Sequence, residues 1–195
     1  MTPESHRGRP VLVAGIGVLL VIGAVLLGLG IAKLTTDTTV VTASRGVQST
    51  TATTSALSHA LDGALAHQQP AVAPFKGLTE VHVSVGGKCL RLVVADSPAE
   101  LTKGLRGRTD LGPYAGMLFV FNGSVDGAFT MSGTKAGLDV GFYAADGTRV
   151  DRVRMTPCTG TDAECPQYRS RAPYRFALET LTGRFPDGTL APCTT

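Results

Sequence analysis

The sequence predicts a mainly β domain with one short helix, preceded by a single N-terminal transmembrane helix and a disordered stalk. Three observations predict it. Residues 11–32, VLVAGIGVLLVIGAVLLGLGIA, are uncharged and mainly apolar. The residues after them are dominated by Thr, Ser and Ala and hold no sustained amphipathic period. From Leu78 onward, short runs alternate apolar and polar side chains between Gly and Asp punctuation, the pattern of strands joined by tight turns.

Each element follows in chain order. The 22-residue apolar run would rise about 33 Å as a helix, enough to cross a hydrocarbon core of about 30 Å. A cleavable signal peptide has a shorter apolar region, about 7–15 residues, with a small-residue cleavage site close behind. Here the first Ala-x-Ala match, Ala64-Leu-Ala66, lies about thirty residues downstream. The expectation is an uncleaved signal-anchor at 11–33 in a bacterial-type cell membrane. Arg7 and Arg9 precede the run and only Lys33 follows closely, so residues 1–10 are expected in the cytoplasm and the rest outside. Ala24 and Gly28 are spaced for close helix packing, although small residues are common in a chain with 24 glycines. Residues 34–75 read as a flexible stalk reaching about 35 Å on average. Within it Leu57, Leu61 and Leu65 fall on one helical face, which allows a short helix over 56–67.

The folded domain is expected over 76–195. TEVHVSV places Val81, Val83 and Val85 on one face, and Gly86-Gly87 makes a two-residue hairpin into KCLRLVVA. Ser97-Pro98-Ala99-Glu100 then starts a helix: Ser97 caps, Pro98 suits the first turn, and Glu100 completes a capping box. GMLFVF, GAFTM, LDVGFYA, TRVDRVRM and YRFALETL follow as strands. Six to eight short strands with one brief helix point to a sandwich or small barrel and away from a parallel α/β fold.

Composition and spacing exclude several functions. From Leu78 there are 13 Lys/Arg against 12 Asp/Glu, with no basic run and no row of aromatics, so no nucleic-acid partner is expected. Four cysteines, Cys89, Cys158, Cys165 and Cys193, lie in the domain without a Cys-x-x-Cys pair, and His82 is its one histidine. That spacing disfavours zinc, and no metal or cofactor is expected. Disulfides suit an exported domain. Cys158 and Cys165 enclose a natural short loop, and Cys89–Cys193 would then pin the C-terminal tail. This is the favoured one of three possible connectivities. No Gly-x-Ser-x-Gly elbow and no phosphate-binding Gly-rich loop occurs, so no catalytic residue is assigned. Arg149, Asp151, Arg152 and Arg154 read as a solvated face, and Asn122-Gly-Ser124 as a turn that also matches a glycosylation sequon.

VADSPAELTKGLRGRTDL, GMLFVF, FTMSGTKAGLDVGFYAADG, PC…CPQY and YRFALETLTG occur in order between Val94 and Gly183. This series resembles the domain of unknown function 192 family, uncharacterised in bacteria and archaea. The resemblance implies a compact β-sandwich or jelly-roll-like fold and no established activity. It places Arg108, Met117, Phe119, Phe121, Phe129, Met131, Leu138, Asp139, Glu179 and Gly183 at signature positions. Thr130, Ser132 and Gly133 stand where the family often carries Trp, Lys and Asn, and Arg106 replaces a usual Met. Little room is expected for a closing strand after Gly183.

Asp139 poses the chemical question, because it puts a carboxylate inside the apolar strand LDVGFYA. Two readings apply. Asp139 fixes the turn by accepting hydrogen bonds or pairing with Arg108, or else Asp139, Arg108, Thr130 and Ser132 line one polar ligand site. As an acid–base pair Asp139 has one attractive companion, Glu179, which the alternation Tyr174, Phe176, Leu178 puts on the opposite, solvated face. The leading expectation is a membrane-anchored domain that binds an envelope ligand or protein partner without catalysis. The alternatives are an envelope hydrolase using Asp139 and a purely structural module.

Overall fold

A computed structural model describes residues 45–194, with side chains from residue 54. The expected cytoplasmic segment 1–10 and membrane span 11–33 lie outside the described residues. Among the described residues no helix is long and apolar enough to cross a membrane.

Alternating strands joined by Gly-rich turns build the domain as the sequence pattern requires. β1 (Gln69–Pro70), β2 (Thr79–Val85), β3 (Lys88–Ala95), β4 (Gly116–Val125), β6 (Leu138–Tyr143), β7 (Arg149–Met155), β9 (Tyr174–Leu181) and β10 (Leu190–Pro192) form one eight-stranded sheet. Its order is β1-β2-β3-β4-β9-β6-β7, with β10 also on β2. β5 (Ala128–Thr130) and β8 (Gln167–Arg169) make a separate two-stranded ribbon. The domain is therefore mainly β. It is one large sheet plus a ribbon, not the two comparable sheets of a sandwich or jelly roll. The physical reason is that the central strands are apolar on both faces, as in the run Leu92-Val93-Val94-Ala95, so other elements cover both sides of one sheet.

The β2–β3 hairpin turns at Gly86-Gly87, with Val85 opposite Lys88 and both glycines at positive φ. β3 and β4 pair in parallel, which requires a crossover. Helix α2 (Pro98–Lys103) lies in that crossover and starts with the expected capping box between Ser97 and Glu100. A closing strand does follow Gly183: β10 pairs with β2, and Cys89–Cys193 secures its end. Cys158–Cys165 is the second bridge.

The stalk reading needs correction. Helix α1 runs over Arg45–Leu65, well beyond the 56–67 anticipated. Leu61 (0 % exposed) and Leu65 join Val83, Leu118, Tyr143, Phe176 and Leu190 in the core on one face of the sheet. Asp62 also pairs with Arg175 of β9 at 2.6 Å. After the helix, Ala71 and Phe75 enter the core on the other face, with Phe119, Phe142 and Tyr174. Val72 N–H donates to the Tyr114 hydroxyl (2.7 Å), which donates to buried Glu80 (2.6 Å). Burial of these apolar side chains, not helix propensity, orders the segment.

Candidate functional site

Asp139 lies in β6, opposite Arg154 of β7, and is 1 % exposed. Its Oδ1 accepts from Arg154 Nε (3.1 Å), and its Oδ2 accepts from Gly183 N–H (2.9 Å) and Arg152 Nη2 (3.4 Å). Burial alone would raise its pKa. The Gly183 N–H and the Arg154 and Arg152 guanidiniums outweigh that and hold the carboxyl below its ordinary range. Arg152 and Arg154 are thus partners of a buried acid, and Asp151 is itself buried and paired with Arg171. The hairpin is not the uniformly solvated face anticipated.

The other three anticipated residues do not converge on Asp139. Arg108 stacks its guanidinium over Phe75, 4.8 Å from the ring centre. Ser132 donates its hydroxyl to the Gly160 carbonyl at 2.8 Å. Thr130, at the end of β5, accepts from the Ser132 N–H at 3.4 Å and faces a different cleft. Asp139 lines none of the three clefts described on the domain.

The cleft that Thr130 faces has a volume of about 390 Å³ and Glu179 in its lining. Glu179 is 4 % exposed, and among the described residues no hydrogen bond or ion pair reaches its carboxyl group. The expected alternation along β9 holds for Phe176 and Leu178, which lie in the core on the face away from Glu179, but not for Tyr174, which joins the core on the Glu179 side. The expected solvation does not hold, because the ribbon and α2 cover this second face. Burial pushes the Glu179 carboxyl up to about 8. No sequence signal revealed this, since α2 and β5 come from distant parts of the chain.

Aromatic rings wall the cleft. Phe119 and Phe121 come from β4, Phe129 from β5 and Tyr174 from β9. Phe119 meets Phe129 edge-on at 5.0 Å, and Phe121 meets Tyr174 edge-on at 5.5 Å. Burial pushes the Tyr174 phenol up to about 12, and its hydroxyl donates to the Gly127 carbonyl at 3.2 Å. Gly104 ends α2 at φ +48°, where a Cβ would sit 3.2 Å from the Phe119 ring, so glycine lets this turn close over the cleft.

The rim is polar and tied down. Arg106 pairs with Asp162 at 2.7 Å, and that hydrogen bond lowers the Asp162 carboxyl. Asp162 sits in the loop closed by Cys158–Cys165, where Thr161 N–H donates to Glu164 at 2.8 Å. Gln167 Nε2 donates to the Asp162 carbonyl at 2.7 Å. Thr130 and Arg106, two departures from the family pattern, both line this cleft. Among the described residues no group of three or more His, Cys, Asp or Glu side chains is placed to hold a metal ion.

Residues 81–192 match the family described as DUF192, uncharacterized ACR. The chain belongs to the DUF192 family. The match spans every strand from β2 to β10 except the first two residues of β2, and so includes the whole Glu179 cleft. Two solved structures are similar to this DUF192 protein. A protein of unknown function from Novosphingobium aromaticivorans DSM 12444 is 27 % identical, covering 63 % of this chain and 91 % of its own, with a TM-score of 0.52. A proposed transcription regulator from Sinorhizobium meliloti 1021 is 26 % identical, covering 57 % of this chain and 90 % of its own, with a TM-score of 0.48. A comparison with curated proteins finds no match.

Proposed function

We propose that this DUF192 protein is a membrane-anchored, extracytoplasmic binding protein of the cell envelope, which holds a small ligand in the cleft over Glu179. One observation carries the reading: a buried carboxyl group without a partner faces a cleft large enough for a small molecule. An unpaired buried polar group costs stability, and a binding site is where such a cost has a return. The location is supported by the apolar run 11–32 with Arg7 and Arg9 before it. Two disulfides add support, since they suit an oxidising compartment.

The test is a thermal-shift screen of the full chain in detergent against envelope sugars, amino acids, amines and short peptides. Thr130→Trp is the plugged control, because Thr130 faces the cleft and Trp is the residue the family pattern carries there. A ligand at 100 times its Kd should stabilise the chain by about 2.7 kcal/mol, and the shift should vanish in Thr130→Trp. A panel without any shift, or shifts that persist in Thr130→Trp, would overturn the reading.

A second reading has its own observation. Glu179 and Asp162 line the same cleft with their carboxyl groups displaced in opposite directions, an arrangement hydrolases use to separate an acid from a base. Turnover of chromogenic glycosides or esters that Glu179→Gln abolishes would establish it. No turnover would remove it.

A further inference from the structure

Resting on the reading that the Glu179 cleft takes a small ligand, we infer that the ligand is an organic ammonium ion. Its charge meets the Glu179 carboxylate and its alkyl groups meet the aromatic walls. The argument begins with the acid. Glu179 is 4 % exposed and has no partner among the described residues, so ionising it is costly unless a cation arrives with the ligand. A second observation is independent of the acid. Four aromatic rings, Phe119, Phe121, Phe129 and Tyr174, line the cleft, with Phe119 and Phe129 at 82° to each other and Phe121 and Tyr174 at 84°. Ring faces attract alkylammonium groups, and cages of this kind recognise them.

The charged and titratable groups facing the cleft do not supply the missing cation. Arg106, in the turn after α2, is engaged by Asp162 of the disulfide loop at 2.7 Å. Lys103, at the end of α2, is exposed to solvent and screened by it. Tyr174 of β9 stays a neutral phenol. An anionic ligand would meet the carboxyl of Glu179 and gain nothing from it. A neutral acceptor, such as an alcohol, would use the protonated acid as a donor.

The ammonium and the neutral ligand have opposite pH signatures. An ammonium selects ionised Glu179, so its binding releases a proton below about pH 8 and tightens as pH rises to that point. Between pH 7 and pH 9 the competent fraction grows roughly tenfold, and the apparent affinity with it. A neutral acceptor loses affinity over the same interval. Alkylammonium probes, like Lys with a pKa of about 10.4, keep their charge throughout.

The experiment is calorimetric titration of the full chain in detergent with hexylammonium, choline, hexan-1-ol and hexanoate at pH 7 and pH 9, with Thr130→Trp as the blank. The expected result is binding of hexylammonium or choline, roughly tenfold tighter at pH 9, with the pH dependence lost in Glu179→Gln. Should Glu179→Gln fail to fold, the pH ratio in the unmodified chain decides. Hexan-1-ol or hexanoate binding as well as the ammonium probes, or ammonium binding indifferent to pH, would overturn the ammonium assignment and leave the binding reading intact. Four silent probes would overturn the ammonium assignment, and the broader screen would then decide whether the cleft binds anything.

Discussion

Replacing Glu179 by Gln keeps the side chain's volume and removes its proton equilibrium, which isolates the cost of burying an unpaired acid. The carboxyl rises from the ordinary 4.5 to about 8 in the folded chain, with burial as its cause. The folded state therefore holds a proton that the unfolded state has released throughout the window between those values. Stability falls with rising pH across that window, at about 1.4 kcal/mol per pH unit for one proton. The accumulated loss is on the order of 5 kcal/mol by pH 8, and it flattens above. Glu179→Gln should show no such slope. Near pH 5 the variant and the unmodified chain should have similar stability, because a neutral amide replaces a neutral acid. At pH 9 the variant should be the more stable by several kcal/mol. Denaturant unfolding at pH 5, 7 and 9 measures this directly. Parallel pH profiles for the two proteins would refute the reasoning and mean that Glu179 finds water or a partner when it ionises.

Three further perturbations probe the frame around the cleft. Asp139→Asn keeps an acceptor for Gly183 N–H but removes the carboxylate that Arg152 and Arg154 pair with, and should cost about 2 kcal/mol in thermal or denaturant unfolding at pH 7. Because the folded Asp139 carboxyl is lowered, its contribution is full above the ordinary 3.8 and disappears as pH falls through the folded value, so the variant should lose part of the acid-unfolding limb. Replacing Cys158 and Cys165 with Ser opens a short ring and should cost roughly 2.5 kcal/mol on the chain-entropy account, read as a drop in Tm that the unmodified chain shows only with reductant. Leu61→Ala should cost about 3 kcal/mol by the same unfolding assay, since Leu61 is wholly buried against the sheet. A negligible effect there would mean that α1 contributes little to the folded unit.

Local rules made much of this domain legible. Gly86-Gly87 marked the first hairpin, Ser97 to Glu100 marked α2, and the spacing of Cys158 and Cys165 marked a closed loop; in each case the determinants are near neighbours in the chain. The failures share the opposite property. α1 is poor in strong helix formers over its first turns, and part of what seats it is Asp62 against Arg175, 113 residues away. The β3–β4 pairing is parallel, and nothing local to either strand announces it. The burial of Glu179 depends on α2 and the β5–β8 ribbon closing over a face that strand alternation alone assigns to solvent. Strand periodicity says which side chains share a face. It does not say whether a second layer covers the other one.

The two buried acids of the sheet make the functional contrast by themselves. Asp139 pairs in register with Thr180, and Val140 with Glu179, so the two acids sit one position apart on adjacent strands and project from opposite faces. Both are almost wholly buried. Asp139 is met by two guanidiniums and a backbone N–H, its carboxyl is lowered, and no described cleft reaches it. Glu179 is met by nothing among the described residues, its carboxyl is raised, and a cleft opens over it. If burial of an acid here were merely tolerated, both should have acquired partners, because a charged neighbour is available at low cost on any paired strand. The asymmetry argues that Asp139 closes the β9 turn, whereas the space over Glu179 is left for something the chain itself does not supply.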